Sequence, residues 1–372
     1  MKIAILTSSR ADYGIYLPLL KALDKAEDVE WGLVVFGTHL SKMHGYTLTA
    51  IEEDGFPIIK KIDALLPGDT PKAIAHSYAV TAVKFADFWN EEGADFDLVF
   101  VLGDRFEMAA AVAAGIPFGI KFAHVHGGET TLGAIDNVYR HSISLASAVH
   151  FVSAAAFEQR LIQVLGDAEA SIYNVGSLSL ENLDQMDLLD LPTFKEMWGI
   201  DLQIPTILVT VHPETVAFDQ NEAYSSEIIQ ALQTLASTYQ IVITMPNADT
   251  AGMIYRTGFE NLAQQLPSVH TIENFGTQSY FTCMKYARLL IGNTSSGIIE
   301  AVSFQKYVIN IGNRQKGRLC GENVIHLPFN AQLILQNAHK YVEMTYLGPN
   351  LYHQSQPSAR ILTHIRSFLG KL

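Results

Sequence analysis

The sequence has few cysteines, little positive charge and no long apolar run. Its 2 cysteines, Cys283 and Cys320, form neither a CxxC pair nor a zinc-type spacing, which excludes a disulfide framework and a cysteine-based metal site. A formal net charge of -13 argues against nucleic acid as a partner, because proteins that bind phosphate backbones present a basic face. No stretch approaches the roughly 18 apolar residues of a membrane span, and the first apolar run is too short for a signal peptide. These absences predict a cytoplasmic protein that does not bind membranes.

A length of 372 residues with 48% hydrophobic content suits two domains of roughly 150–200 residues each. Short apolar runs rich in β-branched residues alternate with segments of helical periodicity, which is typical of parallel sheets built from βαβ units. We therefore predict an α/β protein with two doubly wound domains. The predicted strands lie at 2–7, 31–36, 98–102, 118–124, 148–152, 172–175, 206–211, 240–245, 288–292 and 307–310.

The strand series is interrupted by proline-containing segments between residues 168 and 205 and begins afresh at Thr206. We predict a first domain over 1–170 and a second over 171–356. Residues 357–372 read as an amphipathic helix that folds back on the first domain.

Open α/β sheets bind ligands beyond the carboxyl ends of their strands, so the loops after these runs are the candidate sites. Residues 8–14 read Ser-Ser-Arg-Ala-Asp-Tyr-Gly and open a helix, where backbone N–H groups and Arg10 could hold an anion. A helix-capping role for Asp12 explains the same loop equally well.

The densest polar cluster follows the third and fourth predicted strands. An Asp104–Arg105 pair ends one strand, and residues 124–129 read His-Val-His-Gly-Gly-Glu. Strand alternation would put His124 and His126 on one face. Carboxylates in such a cluster suit acid–base chemistry, whereas the two histidines with carboxylates also suit a divalent metal. The remaining members of the cluster are Glu129, Asp136 and Arg140.

Three loops of the second half could hold a diphosphate. His212 precedes Pro213 and should lie in a loop rather than a helix. Residues 292–300 read Gly-Asn-Thr-Ser-Ser-Gly-Ile-Ile-Glu and supply hydroxyls and free N–H groups at a helix start, although a simple N-cap gives the same pattern. Residues 312–318 add three basic side chains to an otherwise acidic chain: Arg314, Lys316 and Arg318.

Taken in order, these motifs closely resemble the hydrolysing UDP-N-acetylglucosamine 2-epimerases, and the resemblance spans nearly the whole chain. It is strongest with the bacterial branch that makes precursors of sialic or legionaminic acid, which shares the loop His-x-His-Gly-Gly-Glu. Non-hydrolysing relatives usually read Gly-Thr-Arg-Pro-Glu where this chain reads Ser-Arg-Ala-Asp-Tyr-Gly. The resemblance implies a GT-B fold of two Rossmann-like domains with the active site in a cleft between them.

The implied reaction removes the carbon-2 proton, expels UDP to give a 2-acetamidoglycal, and adds water to give N-acetylmannosamine. No cofactor or metal is required, and a homodimer or homotetramer is implied. The resemblance implies catalytic roles for Asp104, Glu129, Asp136 and His212. It implies substrate binding by Arg10, Arg105, His124, His126, Arg140, Asn247, Phe275, Thr294, Ser295, Ser296, Glu300, Arg314, Lys316 and Arg318.

Four alternatives share parts of this pattern. The same reaction on a UDP-diacetamido-trideoxy sugar would need a differently shaped pocket. A non-hydrolysing epimerase or a GT-B glycosyltransferase would use the same diphosphate loops, and a metal-dependent hydrolase would use His124 and His126 as ligands.

Overall fold

The computed structural model describes residues 1–68, 70–130, 132, 135–214, 218–246 and 252–370. The chain divides into two compact units. The first unit consists of Met1–Glu129, Ile135–Asp184 and Tyr352–Leu372, and the second consists of Thr130–Ala134 and Gln185–Leu351.

The first unit is built on a seven-stranded parallel sheet with the order β3-β2-β1-β4-β5-β6-β7. Its strands are β1 (Lys2–Thr7), β2 (Glu30–Phe36), β3 (Ile58–Ile62), β4 (Leu98–Leu102), β5 (Phe122–Val125), β6 (Ser147–Val152) and β7 (Ile172–Asn174). Its helices are α1 (Arg10–Asp24), α2 (Leu48–Glu53), α3 (Pro71–Glu92), α4 (Phe106–Gly115), α5 (Asp136–Leu145), α6 (Ala155–Leu165) and α7 (Leu178–Asp184), joined later in the chain by α14 (Pro357–Phe368).

Helices cover both faces of this sheet, because successive residues of its central strands belong to two different apolar cores. Ile3 and Phe100 pack in one core, whereas Ala4 and Val99 pack in the other. All four are fully buried. Strands buried on both faces read as continuous apolar runs, which is why β1 and β4 were visible in the sequence.

The second unit contains a six-stranded parallel sheet with the order β10-β9-β8-β11-β12-β13. Its strands are β8 (Thr206–Thr210), β9 (Gln240–Thr244), β10 (Val269–Ile272), β11 (Leu289–Gly292), β12 (Val308–Ile311) and β13 (Val324–Leu327). Its helices among the described residues are α8 (Leu191–Trp198), α9 (Asn221–Leu235), α10 (Gly252–Gln265), α11 (Gly276–Tyr286), α12 (Ser296–Ile299) and α13 (Ala331–Tyr341).

In both sheets the strand order reverses once, and open α/β sheets generally bind ligands at such a reversal. The first reversal lies between β1 and β4, and the second lies between β8 and β11. The chain leaves the carboxyl ends of neighbouring strands in opposite directions at such a point, which opens a crevice. The loops after these four strands carry Arg10, Asp104, His212 and Thr294.

The boundary between the units lies at 184/185 rather than at the predicted 170/171. The reason is β7, which pairs in parallel with β6 through His150↔Ile172 and so completes the first sheet. The first unit also resumes at Tyr352, five residues before the predicted start of the last segment at 357.

Helix α14 packs in the first unit through its apolar face, where Ile361 and Ile365 are fully buried in a core shared with α1. The start of the helix is held by a carboxylate from α7. Glu181 accepts hydrogen bonds from Ser358 N and Ser358 Oγ, both at 2.7 Å. A carboxylate at this end also interacts favourably with the helix dipole.

We expect Glu181→Ala to lower the free energy of unfolding by about 1–3 kcal/mol, because two buried donors of Ser358 lose their acceptor. Urea unfolding followed by circular dichroism measures this change. Asp184→Ala removes an exposed carboxylate from the same helix and should change stability by less than about 0.5 kcal/mol. Equal effects of the two substitutions would contradict the capping role of Glu181.

Within the described residues, no helix is both long and apolar enough to cross a membrane.

Candidate active site

The first loop is organised around the buried carboxylate of Asp12. Thr7 Oγ1 donates to Asp12 Oδ1 at 2.6 Å, and Ser8 donates to Oδ2 through its backbone N at 2.9 Å and its Oγ at 2.8 Å. Burial favours a higher pKa for Asp12, but His39 and these donors outweigh it and lower the pKa. Ser9 and Asp12 form a capping box at the start of α1, so the capping interpretation of Asp12 is correct. Arg10, the first residue of α1, is exposed.

Strand β4 ends at Leu102, Gly103 follows with a φ of +79°, and the chain then turns into α4 at Phe106. Arg105 lies at the N-cap position and forms a fork with Glu107, through Nη2 to Oε1 at 2.8 Å and Nε to Oε2 at 3.2 Å. The Arg105 side chain is still 43% exposed. It can therefore contact an anion while Glu107 holds its orientation.

His124 lies inside the unit, fully buried on β5, and both of its ring nitrogens are used. Its Nε2 donates to the Gly103 carbonyl at 2.9 Å, and its Nδ1 accepts from Ser144 Oγ at 3.0 Å. Burial lowers the pKa of His124 to about 3, so the ring is neutral at physiological pH. Through the Gly103 carbonyl His124 fixes the turn that precedes Asp104, and its contact with substrate stays a prediction.

His126 does not follow strand alternation. Strand β5 ends at Val125, and His126 adopts a left-handed φ of 65°. His126 lies beyond the strand, so strand alternation does not reach it. The prediction that alternation places His124 and His126 on one face is therefore wrong. The left-handed turn continues at Gly128, where φ is +75° and a Cβ would lie 2.6 Å from the Phe157 carbonyl oxygen. This turn folds Glu129 back onto His126.

Glu129 is buried at 2% exposure, and both of its carboxylate oxygens accept hydrogen bonds. Oε1 accepts from Ser153 Oγ at 2.8 Å and lies 2.8 Å from His126 Nδ1. Oε2 accepts from Arg140 Nη1 at 3.3 Å. Its direct role in proton transfer stays a prediction, but this geometry favours a positioning role.

Arg140 joins the acidic groups of the cluster. Its Nη2 donates to Asp104 Oδ2, while Nη1 donates to Glu129 Oε2. Arg140 itself is buried at 3% exposure, whereas a quarter of the Asp104 side chain remains exposed. Asp104 therefore presents a carboxylate edge to solvent, and Arg140 fixes its direction.

Asp136 begins α5 and is half-buried. Burial and then the charge of Asp104 raise the pKa of Asp136. A carboxyl group whose pKa is raised beside a second carboxylate is suited to serve as an acid. The described residues contain no group of three or more His, Cys, Asp or Glu side chains that could hold a metal ion.

In the second unit, a side chain that the sequence analysis missed links the two loops at the strand reversal. Asn293 follows β11, accepts from His212 N through Oδ1 at 2.8 Å, and donates from Nδ2 to the His212 carbonyl at 2.8 Å. His212 lies in a loop, as predicted. Burial and then the nearby Arg314 lower the pKa of His212 to about 3, so it is a neutral hydrogen-bonding group at physiological pH.

The hydroxyl-rich turn leads into the short helix α12. Thr294 Oγ1 accepts from Gly297 N at 3.2 Å and so supports the helix start, whereas the N-cap residue Ser295 makes no side-chain capping contact. Ser295 remains exposed. Tyr280 of α11 also reaches this turn: burial raises the pKa of its phenol, although hydrogen bonds with Thr210, Ser296 and Thr294 oppose that shift. Tyr280 had no motif to identify it in the sequence.

The basic loop at 312–318 is attached to the same turn. Arg314 Nη1 donates to the Asn293 carbonyl at 3.3 Å, and Gln315 Nε2 donates to it at 3.0 Å. Lys316 is exposed, and its carbonyl accepts from Leu132 N at 2.9 Å. Arg318 lies partly buried at the end of the loop. The loop thus brings positive charge to the strand reversal of the second sheet.

The other ligand contacts stay predictions. Phe275 is buried, with its ring 4.8 Å from Trp198 and 5.6 Å from Phe194, so only its backbone is suited to ligand binding. Glu300 is buried directly after α12. Asn247 lies outside the described residues.

Comparison with known proteins places this arrangement in a family. The chain is 32% identical over 373 residues to the polysialic acid biosynthesis protein P7 of Escherichia coli, covering 99% of this chain and 94% of that protein. It is 34% identical over 330 residues to a Campylobacter jejuni protein named GDP/UDP-N,N'-diacetylbacillosamine 2-epimerase (hydrolyzing), covering 88% of this chain and 85% of that protein.

Its fold is similar to that of the UDP-GlcNAc 2-epimerase from Neisseria meningitidis, solved bound to UDP-GlcNAc, with a TM-score of 0.80 at 17% identity over 99% of this chain and 100% of that chain. This likeness and the two parallel sheets confirm the predicted GT-B class of two Rossmann-like domains. A family model described as UDP-N-acetylglucosamine 2-epimerase matches residues 21–366. The chain therefore belongs to the UDP-N-acetylglucosamine 2-epimerase family.

Proposed function

We propose that the protein is a hydrolysing 2-epimerase that converts UDP-N-acetylglucosamine and water to N-acetylmannosamine and UDP. The observation that carries this proposal is the cluster of acidic, histidine and arginine side chains after β4 and β5, in a chain of this family. Epimerisation at carbon 2 requires proton removal and return, so it needs several proton-transfer groups around one carbon. A glycosyltransferase does not require several proton-transfer groups around one carbon.

Asp104 and Asp136 are the carboxylates best suited to exchange protons with the substrate. Asp104 keeps a solvent-facing edge, and the pKa of Asp136 is raised by burial and then by the Asp104 charge. A raised pKa keeps more of the acid form at mildly acidic pH, which suits a donor to the departing diphosphate or to carbon 2.

Each unit offers groups of its own for a diphosphate at its strand reversal. Arg105 supplies an exposed guanidinium beside β4, and Arg10 supplies a second one after β1. In the second unit, neutral His212 and the turn at Thr294–Ser296 supply hydrogen-bond donors, and Arg314 adds charge. Glu300 is the proposed ribose contact. These groups would stabilise the negative charge that develops as UDP leaves.

The substrate could instead be a UDP-2,4-diacetamido-2,4,6-trideoxy sugar, since the Campylobacter relative is named for diacetylbacillosamine. The reaction type is the same in both cases. Within the proposal the enzyme is cytoplasmic and assembles as a homodimer or homotetramer.

The test is proton NMR of the purified protein with UDP-N-acetylglucosamine in D2O. We expect free UDP together with N-acetylmannosamine that carries deuterium at carbon 2. Epimerised sugar that stays attached to UDP would contradict hydrolysis. Turnover of the diacetamido-trideoxy substrate alone would retain the reaction and change the substrate, and no turnover of either would refute the proposal.

A further inference from the structure

His126 presents a ring nitrogen that nothing in the described part of the chain uses. Its Nδ1 lies 2.8 Å from Glu129, whereas its buried Nε2 has no hydrogen-bond partner among those residues. Leaving a buried polar atom unpaired costs about 1–3 kcal/mol. The same residue holds a φ of 65°, which is uncommon for a side chain other than glycine. Two such costs on one residue mark a functional constraint.

The neighbours of His126 decide which tautomer it adopts. An ionised carboxylate has no proton to donate, so the contact with Glu129 Oε1 requires the proton to be on Nδ1. A neutral ring then carries its lone pair on Nε2. Ser153 and Arg140 hold the carboxylate in place through 2.8 Å and 3.3 Å contacts, so neither the ring nor the tautomer is free to change.

On the basis of the proposed function, we propose that His126 Nε2 is the base that removes the carbon-2 proton, and that Glu129 is its positioning residue. This assignment differs from direct proton transfer by Glu129. Glu129 accepts three hydrogen bonds and is 2% exposed, whereas Nε2 of His126 is an acceptor without a donor.

The elimination step balances as follows. The bond between carbon 2 and hydrogen breaks, and its proton passes to Nε2. The electron pair of that bond forms the double bond between carbons 1 and 2, while the bond from carbon 1 to oxygen breaks with its pair on the UDP oxygen. The products are UDP, the 2-acetamidoglycal and an imidazolium at His126. Water then supplies a hydroxyl to carbon 1 and a proton to the opposite face of carbon 2, and the imidazolium returns its proton to solvent.

The test is chemical rescue. His126→Gly accepts the positive φ without strain and leaves space for an added ring. We expect kcat to fall by at least about 100-fold, with UDP binding by calorimetry unchanged. Imidazole at tens of millimolar should raise the rate of UDP release by this variant at least about tenfold. The rate of deuterium incorporation at carbon 2 should rise by the same factor. His126→Asn also tolerates positive φ and replaces the glycine variant if that one fails to bind UDP.

Glu129→Gln separates the two roles. In the native background it should lower kcat by about 100-fold or more, because the amide no longer enforces the tautomer. In the His126→Gly background with imidazole it should lower the rescued rate by less than about threefold, since a free ring chooses its own tautomer. Asp104→Asn is the control and should not respond to imidazole.

The outcomes are distinct from those of the proposed function. If the native protein releases no UDP, both the function and this inference fall. If the native protein is active, near-native rates in both His126 variants, or a loss that imidazole does not restore, would overturn the assignment of the base. An equal loss from Glu129→Gln in both backgrounds would return the proton-transfer role to Glu129.

Discussion

Asp104→Asn should lower kcat by about 100- to 10,000-fold while the affinity for UDP stays within about threefold of native. The substitution keeps the shape of the side chain and an oxygen acceptor for Arg140, so the cluster after β4 should hold together. What disappears is a carboxylate that can take or give a proton. The loss of its charge also removes one of the causes that raise the pKa of Asp136.

The matched control for this experiment lies at the other end of the same strand. Asp97 precedes β4, is exposed, and accepts from Lys2 N at 2.9 Å. Asp97→Asn makes the identical chemical change away from the candidate site and should leave kcat within about twofold of native. UDP release in single-turnover and steady-state assays measures both variants. If Asp104→Asn kept a near-native kcat, the acid–base role of Asp104 would be refuted.

Gly292→Ala should destabilise the protein by about 3 kcal/mol. Gly292 is the last residue of β11 and pairs with Thr210 of β8. An added Cβ would lie 2.0 Å from the Thr210 carbonyl oxygen and 2.8 Å from its carbonyl carbon. Both atoms belong to a neighbouring backbone in the middle of a buried sheet, so the strands would have to separate. Asn293 would then lose the position from which it holds His212.

Gly14→Ala is the control for this prediction. Gly14 lies inside α1, and an added Cβ would meet nothing within 4 Å. Alanine is favoured over glycine in a helix interior, so this variant should gain about 0.5–1 kcal/mol. Urea unfolding of both variants tests the pair. An unchanged unfolding midpoint for Gly292→Ala would contradict the backbone contact with Thr210.

The central strands of both sheets could be predicted from the sequence because they are buried on two faces. β1, β4 and β8 appear as uninterrupted apolar runs. The three strands that the sequence did not reveal, β3, β10 and β13, are all edge strands. An edge strand is short and half-exposed and carries polar residues such as Lys60, His270 and His326. Such segments resemble loops when only hydrophobicity is considered.

Sequence motifs identified some of the candidate site residues but not the hydrogen-bond partners that orient them. The order of motifs identified Asp104, Glu129 and Asp136 as one cluster. The motif order could not distinguish His124 from His126. Both ring nitrogens of His124 are hydrogen-bonded inside the unit, whereas Nε2 of His126 has no hydrogen-bond partner among the described residues. Hydrogen-bond partners such as Ser144 and Ser153 are distant in sequence and belong to no motif. They became visible only once the strands were folded side by side.

Helix α14 has a consequence for the order in which the protein can be completed during synthesis. It contributes Ile361 and Ile365 to the core of the first unit, yet it follows the whole of Gln185–Leu351 in the chain. On the ribosome the second unit can therefore close its sheet while the first still exposes the apolar surface of α1 that α14 will cover. Exposed surface of this kind promotes aggregation of nascent chains. A fragment that ends before α14 should accordingly depend on chaperones far more than the complete chain does.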